Sequence, residues 1–497
     1  MIGVIADAAG VQVAAEFFEL FKTSWENYRE GSAYDVVLDT TGHGGDLKAR
    51  LVVRYGSRRI LADRDLPVQS QPPEQNGSML VGADPFPLYG PYAVIDLAGR
   101  QEPEAVPLAA AEGGAIGYVV RKGGSTEVRL GYELFGEIRT LLSTGQPAEW
   151  AAIPTLELHI DLLRRWMAAS GVEFNEVRSA PAGYRFIAAL THDVDHPSLR
   201  LHGLDRTAAG FLGRATVGSV QRWATGRLKF SQMLRNWGAA LCWPTVAMGW
   251  GRDIWRGFVN YTDMESGRPS TFFVIPFAGR PGALCGAAAP FYRASGYGVA
   301  DIEVEVRELR ERGCEIGLHG LDAWCDVKAA EQERTEVERV ATAEINGVRM
   351  HWLYFGPDST ALLDEAGFDY DSTVGYNGTV GFRAGTAQVY RPLGGRRLLE
   401  LPLIVMDTAL FYPSHLNLTV AEAWKRVETV VAQVVRFGGC VTVNWHDRSL
   451  APERQWGDFY GELVRYLEAQ GGWVTSAGEA VEWFRRRRDN DKSDLKN

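Results

Sequence analysis

Residues 187–196 carry the sequence Ile-Ala-Ala-Leu-Thr-His-Asp-Val-Asp-His, in which an apolar run ends abruptly in two acids and two imidazoles. An apolar run of this length, bounded by polar residues, is typical of a buried strand. Asp193 and Asp195 are two positions apart, so both side chains point to the same face of that strand. Unpaired burial of a charge is costly, so these carboxylates are expected to have partners. The pair suits a site in which one carboxylate holds a metal ion while the other takes a proton from water.

Composition is typical of a globular protein with more than one domain. The 497 residues are too many for one ordinary domain, so two or three are expected. Hydrophobic residues make up 46% of the chain and charged residues 23%, which is a normal globular balance. The formal net charge of -10 argues against broad nucleic-acid binding.

The sequence also predicts a cytoplasmic location. The segment Met1–Asp7 has no basic region, and no long apolar stretch follows it, so no signal peptide is expected. No segment reaches the roughly 18 uncharged apolar residues of a membrane span. An odd number of scattered cysteines fits free thiols in a reducing compartment. The cysteines are Cys242, Cys285, Cys314, Cys325 and Cys440.

Residues 1–180 are expected to form a separate α/β domain. They contain apolar runs at 35–39 and 93–97 and a helical pattern around 156–169. No motif with a recognisable chemical role occurs in this half of the chain, so its function stays open.

Residues 181–488 alternate between strand-like and helix-like patterns, which predicts a distorted (β/α)7 barrel of the α/β class. Chemistry in such barrels collects at the carboxyl ends of the strands. Residues 489–497 are expected to form a disordered tail. The strand candidates are 184–191, 270–277, 315–319, 348–355, 369–374, 398–406 and 440–446.

Four of the predicted strands end in ionisable side chains. This pattern is hard to explain by structural needs alone, because charged groups at buried strand ends require partners. The residues are Asp193 with Asp195, His319, Asp371 and His446.

Residues 200–262 interrupt the barrel after its first strand. This segment is rich in arginine and tryptophan and has few acids. A basic, tryptophan-bearing helical segment can lie on an anionic membrane surface, which would give the protein a peripheral membrane contact. The alternative is a helical insertion packed on the barrel or a partner interface, and of the two we favour this alternative.

Five segments of the barrel half, taken together and in order, resemble the polysaccharide deacetylase superfamily (NodB homology, carbohydrate esterase family 4). The first of them looks closest to a divergent branch in which this motif reads Thr-His-Asp-Val-Asp. Their order and spacing are more specific for the fold than for the activity. The segments are Leu190–His196, Ser270–Val274, Glu315–Gly320, Gly367–Thr373 and Val441–His446.

The resemblance implies roles for four side chains and a divalent metal cofactor, zinc in the usual form of the family. Asp193 would be the general base, and Asp195 a metal ligand. His319 would be a second ligand, and His446 the general acid that protonates the departing amine. The resemblance also implies that Trp445 and the loop from Asp371 to Arg383 would line the sugar site.

The implied chemistry is consistent with the residue types themselves. Hydrolysis of an amide needs a polarised carbonyl and an activated water, and a divalent ion supplies both. The tetrahedral oxyanion needs a positive neighbour. An amine is a poor leaving group and needs a proton, which an imidazole can give near neutral pH.

The sequence departs from the family pattern in two places. The second ligand histidine usually follows four residues after the first, where this chain has Ala323, so the third ligand is absent or comes from Asp322, another histidine or water. One His and one Asp would favour harder ions than zinc. The usual arginine partner of the base is replaced by Tyr354, so Arg349 or Arg383 would have to substitute.

Each assignment has a structural alternative. Asp193 and Asp195 could be salt-bridged acids at a strand end, and His319 and His446 could be hydrogen-bonded histidines near the core. His351 could reach the site or serve the core equally well. Strand alternation would turn two further histidines away from the acids, so they are not expected to bind metal. These are His192 and His196.

The expected function is metal-dependent N-deacetylation of an N-acetylated sugar, linked to a nucleotide or a lipid, in surface-polysaccharide biosynthesis. A second hypothesis is a non-catalytic carbohydrate-binding or assembly protein that keeps the fold, which Ala323 and Tyr354 favour. A third is a hydrolase that uses the same strand ends on a phosphoester or a different amide.

Overall fold

The chain divides into two compact units in this computed structural model. One unit comprises Met1–Arg178 with Arg383–Thr386, and the other comprises Ser179–Phe382 with Ala387–Asn497. The structure describes every residue except 64–65, 73–77, 82–83, 99–105, 112–113, 204, 252, 285–286 and 495–497.

The first unit contains a mixed sheet of eleven strands. Five strands at one end pair in parallel, and those at the other end pair in antiparallel fashion. The strands are Ile2–Ile5, Trp25–Asn27, Val36–Asp39, Leu51–Tyr55, Val68–Gln71, Ser78–Val81, Asp84–Pro87, Tyr92–Ile95, Val106–Ala111, Gly114–Lys122 and Ser125–Leu130.

Three α-helices complete the first unit. The first begins at an N-cap, where a carboxylate oxygen of Asp7 accepts a hydrogen bond from the Gly10 amide at 2.6 Å. Its apolar side is buried in the unit, as expected for an amphipathic helix. The helices are Ala8–Phe21, Leu134–Ser143 and Thr155–Ala169, with 3-10 turns at Leu61–Asp63 and Ala148–Trp150.

The second unit contains a sheet of nine strands whose pairs are all parallel among the described residues. Parallel pairing brings every carboxyl strand end to the same edge, which is the edge that positions the site described below. The main row runs in the order Leu399–Glu400, Tyr370–Asp371, Gly347–Met350, Glu315–Gly320, Thr271–Val274, Phe186–Val194, Cys440–Asn444 and Val405–Met406.

The outermost strands of this row are separated by only four residues of chain, between Glu400 and Val405. A flat row of eight strands would hold its edges about 34 Å apart, because neighbouring strands lie about 4.8 Å apart. The chain from Glu400 to Val405 reaches at most about 18 Å. The row must therefore curl, and the unit has an α/β barrel-like fold.

Nine strands replace the seven that the sequence predicted. Pro402 lies in the middle of the expected strand 398–406 and has no N–H to donate, so this segment forms two short strands. Gly472–Thr475, which the pattern did not indicate, pairs with the first half of Phe186–Val194.

Both faces of the strand Phe186–Val194 are buried. Leu190 and Val194 belong to the large core shared with the surrounding helices, whereas Ile187 and Ala189 belong to a separate core on the other face. Side chains alternate along a strand, so Asp193 continues the face of Ile187 and Ala189. The first strand therefore directs its carboxylate away from the larger core.

Helices connect the strands of the second unit. The insertion after the first strand is helical. The α-helices are Arg206–Gly213, Ser219–Ala224, Phe230–Ala247, Tyr261–Met264, Glu303–Glu311, Val327–Ala341, Ser359–Glu365, Asp407–Phe411, Val420–Phe437, Gly457–Ala469 and Ala477–Asp494, with a π-helical turn at Arg214–Gly218.

The last helix, Ala477–Asp494, covers residues that were expected to be disordered. The backbone is helical to Asp494, so the predicted tail 489–497 is corrected over residues 489–494. Arginine is a good helix former, and an exposed pair four residues apart, Glu482 with Arg486 at 2.8 Å, supports the preceding turns. Residues 495–497 lie outside the described part of the chain.

Within the described residues, none of the helices combines the length and the apolar content that crossing a membrane requires. Four of the cysteines are free thiols, namely Cys242, Cys314, Cys325 and Cys440, and Cys285 lies outside the described residues.

Candidate metal centre and catalytic site

A cavity of about 660 Å³ opens at the carboxyl ends of the strands in the second unit. It brings together ionisable side chains at the carboxyl ends of two pairs of neighbouring strands, and the strand Thr271–Val274 lies between the pairs. The side chains that form its chemical centre are Asp193, Asp195, His319, His351 and His446.

Three of these side chains converge on one point. Oδ1 of Asp195 lies 3.3 Å from Nε2 of His319 and 3.3 Å from Nδ1 of His351. The two ring nitrogens are 3.1 Å apart. One ligand atom from each residue therefore falls within 4.8 Å of the others, which is the spacing that a single metal ion requires.

The outward nitrogens of the two rings fix which nitrogen carries the proton. Nδ1 of His319 lies 3.0 Å from the carbonyl oxygen of Arg349, and Nε2 of His351 lies 3.1 Å from that of Arg293. A carbonyl oxygen only accepts, so both of these nitrogens donate. Histidine ligands are commonly oriented in this way, by donating the second ring N–H to a carbonyl.

The inward nitrogens are consequently acceptors, like the carboxylate oxygen beside them. Burial lowers the pKa of His351 despite the nearby charge of Asp195, so this ring is neutral at pH 7. Burial alone would raise the pKa of Asp195, but its histidine neighbours outweigh burial and hold the pKa well below the usual value. Oδ1 of Asp195 is buried and has no hydrogen-bond donor. Three facing acceptors without a donor fit a bound cation.

The donor set also fits the expected kind of ion. Two imidazole nitrogens and one carboxylate oxygen form a set found in catalytic zinc sites, which leave a position open for water or substrate. The sequence had indicated Asp195 and His319 and had left the third ligand open among Asp322, another histidine and water, and the structure places His351 beside the other two. The carboxylate of Asp322, a named candidate for the third ligand, instead accepts from the Ala283 amide.

His351 escaped assignment because of where its strand ends. The predicted strand 348–355 stops at Met350, so His351 is the first residue after a strand end and not part of the strand. Trp352 and Leu353 follow with φ values of 62° and 53°, a left-handed conformation that is uncommon for bulky residues and turns the chain sharply. The sequence did contain one signal for this ligand, because His351 follows the strand that pairs with the strand of His319.

Asp193 is held by two buried partners. Its Oδ1 accepts from Nη1 of Arg349 at 3.0 Å, and its Oδ2 accepts from Nδ2 of Asn444 at 2.7 Å. Burial by itself would raise the pKa of Asp193, but Arg349, with smaller help from His319, lowers it below 3.8. Asp193 is therefore ionised at neutral pH, and Arg349 is the arginine partner that the altered motif left open.

Replacing Arg349 with glutamine is expected to destabilise the protein by about 3–5 kcal/mol, because a buried carboxylate loses its charged partner. Burial then raises the pKa of Asp193. In the native protein the carboxylate contributes stability above pH 3.8, and this contribution is lost as the pH falls through the lowered pKa. Urea unfolding at several pH values measures both effects.

The matched control is Arg339→Gln, since Arg339 makes an ion pair with Glu336 at 2.7 Å on the exposed surface. Little loss of stability is expected there. If the free energy of unfolding fell equally in the two variants, the buried ion pair would contribute no more stability than the exposed one.

His446 is positioned by a second carboxylate. Nδ1 of His446 lies 2.6 Å from Oδ1 of Asp407, and Nε2 lies 3.8 Å from Oδ2 of Asp195. The backbone amide of His446 donates to the other oxygen of Asp407 at 2.8 Å. Burial alone would lower the pKa of His446, but Asp407 outweighs it and the pKa rises to about 10. The ring is therefore protonated at neutral pH.

Replacing Asp407 with asparagine is expected to move the alkaline limb of the pH–rate profile to lower pH by about 2 units, as the loss of a neighbouring charge does. The limb moves to lower pH because Asp407 raises the pKa of His446, and without that charge the ring loses its proton at a lower pH. Profiles of kcat/KM against pH measure the shift. In a His446→Gln background the same replacement should cause no further shift, and a shift there would assign the limb to another group.

Two residues that were expected at the sugar site, Trp445 and Asp371, do not line the cavity. Trp445 is fully buried and stacks on Phe459 at 5.7 Å between ring centroids, because alternation directs Asn444 toward Asp193 and its neighbour the opposite way. Asp371 is also fully buried and accepts from the Thr373 hydroxyl, and burial raises its pKa to about 7.

Arg383 belongs to the first unit, whereas every side chain that lines the cavity belongs to the second. The expectation that Arg383 lines the sugar site therefore stays a prediction. The loop that follows Asp371 does contribute one lining residue, Asn377, whose side chain donates to the carbonyl oxygen of Trp352 at 3.1 Å.

His192 and His196 lie outside the group of three ligand atoms. His192 lies in the core, where its Nε2 is 2.8 Å from Glu265 and its ring stacks on Tyr261. The ring of His196 contacts His202, with 3.1 Å between the nearest nitrogens, although His196 also lines the cavity. Alternation along the strand accounts for the position of His192.

No family model matches this sequence, and no curated protein matches it. Among solved structures, the chain is similar to a Mycobacterium smegmatis protein assigned as a polysaccharide deacetylase, with 20% identity and a TM-score of 0.40 over 62% of this chain and 93% of that chain. It is similar to Puue allantoinase, with 12% identity and a TM-score of 0.38, over 62% of this chain and 93% of that chain. It is also similar to BA3943, a CE4 family pseudoenzyme from Bacillus anthracis, with 12% identity and a TM-score of 0.26 over 46% and 60%. These neighbours differ in activity, so likeness of fold does not assign a reaction.

Proposed function

We propose that this protein is a metal-dependent hydrolase that removes the acetyl group from an N-acetylated sugar during surface-polysaccharide biosynthesis. One observation carries the proposal. An ionised carboxylate, Asp193, and a protonated imidazole, His446, flank the three facing acceptor atoms of the metal centre, with 3.9 Å from Asp193 Oδ2 to His319 Nε2 and 3.8 Å from His446 Nε2 to Asp195 Oδ2. A base and an acid on either side of a Lewis-acid site are what amide hydrolysis needs.

Asp195, His319 and His351 would hold the divalent ion. When bound there, such an ion polarises the amide carbonyl and makes water a better nucleophile. Asp193 takes a proton from the attacking water, and Arg349 and Asn444 keep its carboxylate ionised and correctly turned. His446 gives its proton to the amide nitrogen as the C–N bond breaks. The water oxygen joins the acyl carbon, so the products are acetate and a free amine.

The non-catalytic alternative rested on Ala323 and Tyr354. His351 supplies the ligand atom that is missing at Ala323. Arg349 pairs with Asp193 in place of the arginine that is missing at Tyr354. A protein that had lost its chemistry would have no need to keep Asp193 ionised and His446 protonated beside the same point. The enzyme is therefore the hypothesis that we favour.

The proposal is tested by measuring acetate and free amine released from a panel of N-acetylated amino sugars. The panel contains neutral, phosphorylated, nucleotide-linked and lipid-linked forms. The metal-loaded protein should release both products in equal amounts, and chelation should stop the release. Release of neither product from any member by a protein with stoichiometric metal would contradict the proposal, and release of phosphate would favour a phosphoesterase.

We also propose that the segment 200–262 contacts an anionic membrane surface. The helix Phe230–Ala247 exposes an apolar stripe at helical spacing, and its opposite side is buried. From residue 206 to 250 the sequence has six basic and no acidic side chains. An apolar stripe with basic flanks is the pattern of a helix that lies in a membrane interface. The exposed large apolar residues of the segment are Leu201, Val217, Val220, Trp223, Phe230, Leu234, Trp237, Leu241, Met248 and Trp250.

Co-sedimentation with vesicles tests this contact. The protein should bind vesicles that contain phosphatidylglycerol and bind neutral vesicles much more weakly. Leu241→Glu should abolish binding, whereas Val304→Glu should not, because Val304 is also an exposed apolar residue but lies on another helix. If the native protein ignores anionic vesicles, the stripe serves another partner and the membrane proposal fails.

A further inference from the structure

One wall of the cavity carries a concentration of positive charge that the hydrolytic chemistry does not use. Two of its arginines come from the insertion after the first strand, and two come from the segment that follows His446. The arginines on this wall are Arg206, Arg214, Arg448 and Arg454.

Three of these four cationic groups, those of Arg214, Arg448 and Arg454, lie close enough to repel one another. Burial lowers the pKa of Arg454, and the charges of Arg448 and Arg214 lower it further, to about 9. Burial would raise the pKa of Tyr412, yet these same three arginines outweigh it and lower the pKa of the hydroxyl. Like charges are not gathered in this way without an anion to stabilise them.

Arg454 is rigidly held at the centre of this wall. Only 3% of the residue is exposed, and its guanidinium lies over the rings of Tyr412 and Trp456 at 5.2 Å and 4.9 Å from the centroids. Its Nε is buried and has no hydrogen-bond partner, and the same is true of Nε and Nη2 of Arg214. Both carboxylate oxygens of Glu453 are also buried without a donor, and one lies 3.7 Å from Nη2 of Arg214. Burying a donor without an acceptor is costly, so Nε of Arg454 is the donor that indicates a ligand.

The protein itself does not neutralise this wall. The carboxylate of Glu453 lies 3.7 Å from Arg214, beyond hydrogen-bond distance. Burial raises the pKa of Glu453, with the arginines acting against that rise. Two carboxylates, Glu453 and Asp447, against four guanidinium groups still leave a net positive wall.

We propose that this arginine wall binds the phosphate group of a phosphorylated amino sugar, whose acetamido group is presented to the metal centre. The inference rests on the proposed function and narrows its substrate class. Guanidinium groups bind phosphate oxygens in paired hydrogen bonds, and several of them match a dianion better than a single carboxylate. A phosphate on C1 of an N-acetylhexosamine is adjacent to the acetamido group on C2, so one cavity can receive both.

The position of Arg448 supports this arrangement. It follows the general acid His446 by two residues in the chain and lines the same cavity. Arg214 opens the π-helical turn Arg214–Gly218, an irregularity that is frequent at functional sites. The wall is thus built beside the reacting groups and not on a remote surface.

The test compares N-acetylglucosamine, its 1-phosphate, the UDP-linked sugar and a sugar linked to a short polyprenyl diphosphate. Arg448→Gln and Arg214→Gln should each lower kcat/KM for the phosphorylated forms at least about 10-fold, as the loss of a charge-assisted hydrogen bond does. The neutral sugar should be affected little. Arg235→Gln is the control, because Arg235 is exposed on the insertion outside the cavity.

Calorimetric binding of N-acetylglucosamine 1-phosphate to Asp193→Asn protein separates this inference from the proposed function. Binding that weakens in Arg448→Gln, or in the exposed variant Arg206→Gln if the others misfold, supports the wall even if no acetate is released. Equal kcat/KM changes for neutral and phosphorylated sugars, or binding that none of the arginine variants weakens, would overturn it. Preference for the UDP-linked or the polyprenyl-linked sugar identifies the source of the phosphate.

Discussion

The variant His351→Ala is expected to lose its bound metal and at least about 10³-fold in kcat/KM. A metal ion contributes several kcal/mol to the transition state, and each 1.36 kcal/mol corresponds to a tenfold change in rate. The side chain supplies one of three donors, and Oδ1 of Asp195 would be left with a single imidazole beside it. Elemental analysis of purified protein and the rate of acetate release measure the two losses.

His415→Ala is the matched control for that experiment. His415 lines the same cavity, but its Nδ1 lies 3.1 Å from the carbonyl oxygen of Thr408 and it is not part of the group of three. Metal content should be unchanged in this variant. Full metal content in His351→Ala, or equal losses in both variants, would mean that the ion is not held by this trio.

Asp193→Asn is expected to lower kcat by about 10²–10⁴-fold, the usual contribution of a general base, while metal binding is retained. The amide keeps the shape of the carboxylate but cannot take a proton. Removing this charge leaves Arg349 buried without its partner, so the variant should also unfold at a lower temperature. Activity and metal content are therefore measured well below its unfolding midpoint.

Comparison with Asp195→Asn makes this result diagnostic. That variant removes a charge from the same strand end, but it should lower metal affinity as well as rate. If Asp193→Asn also loses the metal, Asp193 is a ligand and not the base. If it keeps both metal and full activity, the assignment of the base is wrong.

The strand that carries the two acids could be predicted because its information is local. An apolar run with a sharp polar end specifies a buried strand, and spacing by two specifies a shared face. The same alternation accounts for His192, which lies in the core on the opposite face. The directions of these neighbouring side chains could be predicted without knowledge of the rest of the fold.

The third donor and the arginine partner depend on where a distant strand stops. His351 and Arg349 are two residues apart, yet the first faces the metal centre and the second reaches Asp193. If this strand had continued past Met350, alternation would have directed the side chains of Arg349 and His351 to the same face of the sheet. The end of this strand is set by the left-handed turn at Trp352 and Leu353, which no local pattern in the sequence indicates.

The substrate-binding assignments were the least predictable part of the site. Position at a strand end does not reveal whether a side chain faces the cavity or the core, and Trp445 and Asp371 both face inward. The arginines that do line the cavity come from an insertion and from a loop, where alternation gives no guidance. Such sets become visible only when the tertiary structure brings them together.

The most direct measurement is a crystal structure of the protein grown with Zn²⁺, with diffraction recorded on both sides of the zinc absorption edge. We expect one anomalous peak in this cavity at about 2.0–2.2 Å from Nε2 of His319, Nδ1 of His351 and a carboxylate oxygen of Asp195. The absence of an anomalous peak near these three atoms at a saturating zinc concentration would contradict the proposed metal centre. So would a zinc ion held in this cavity by other side chains.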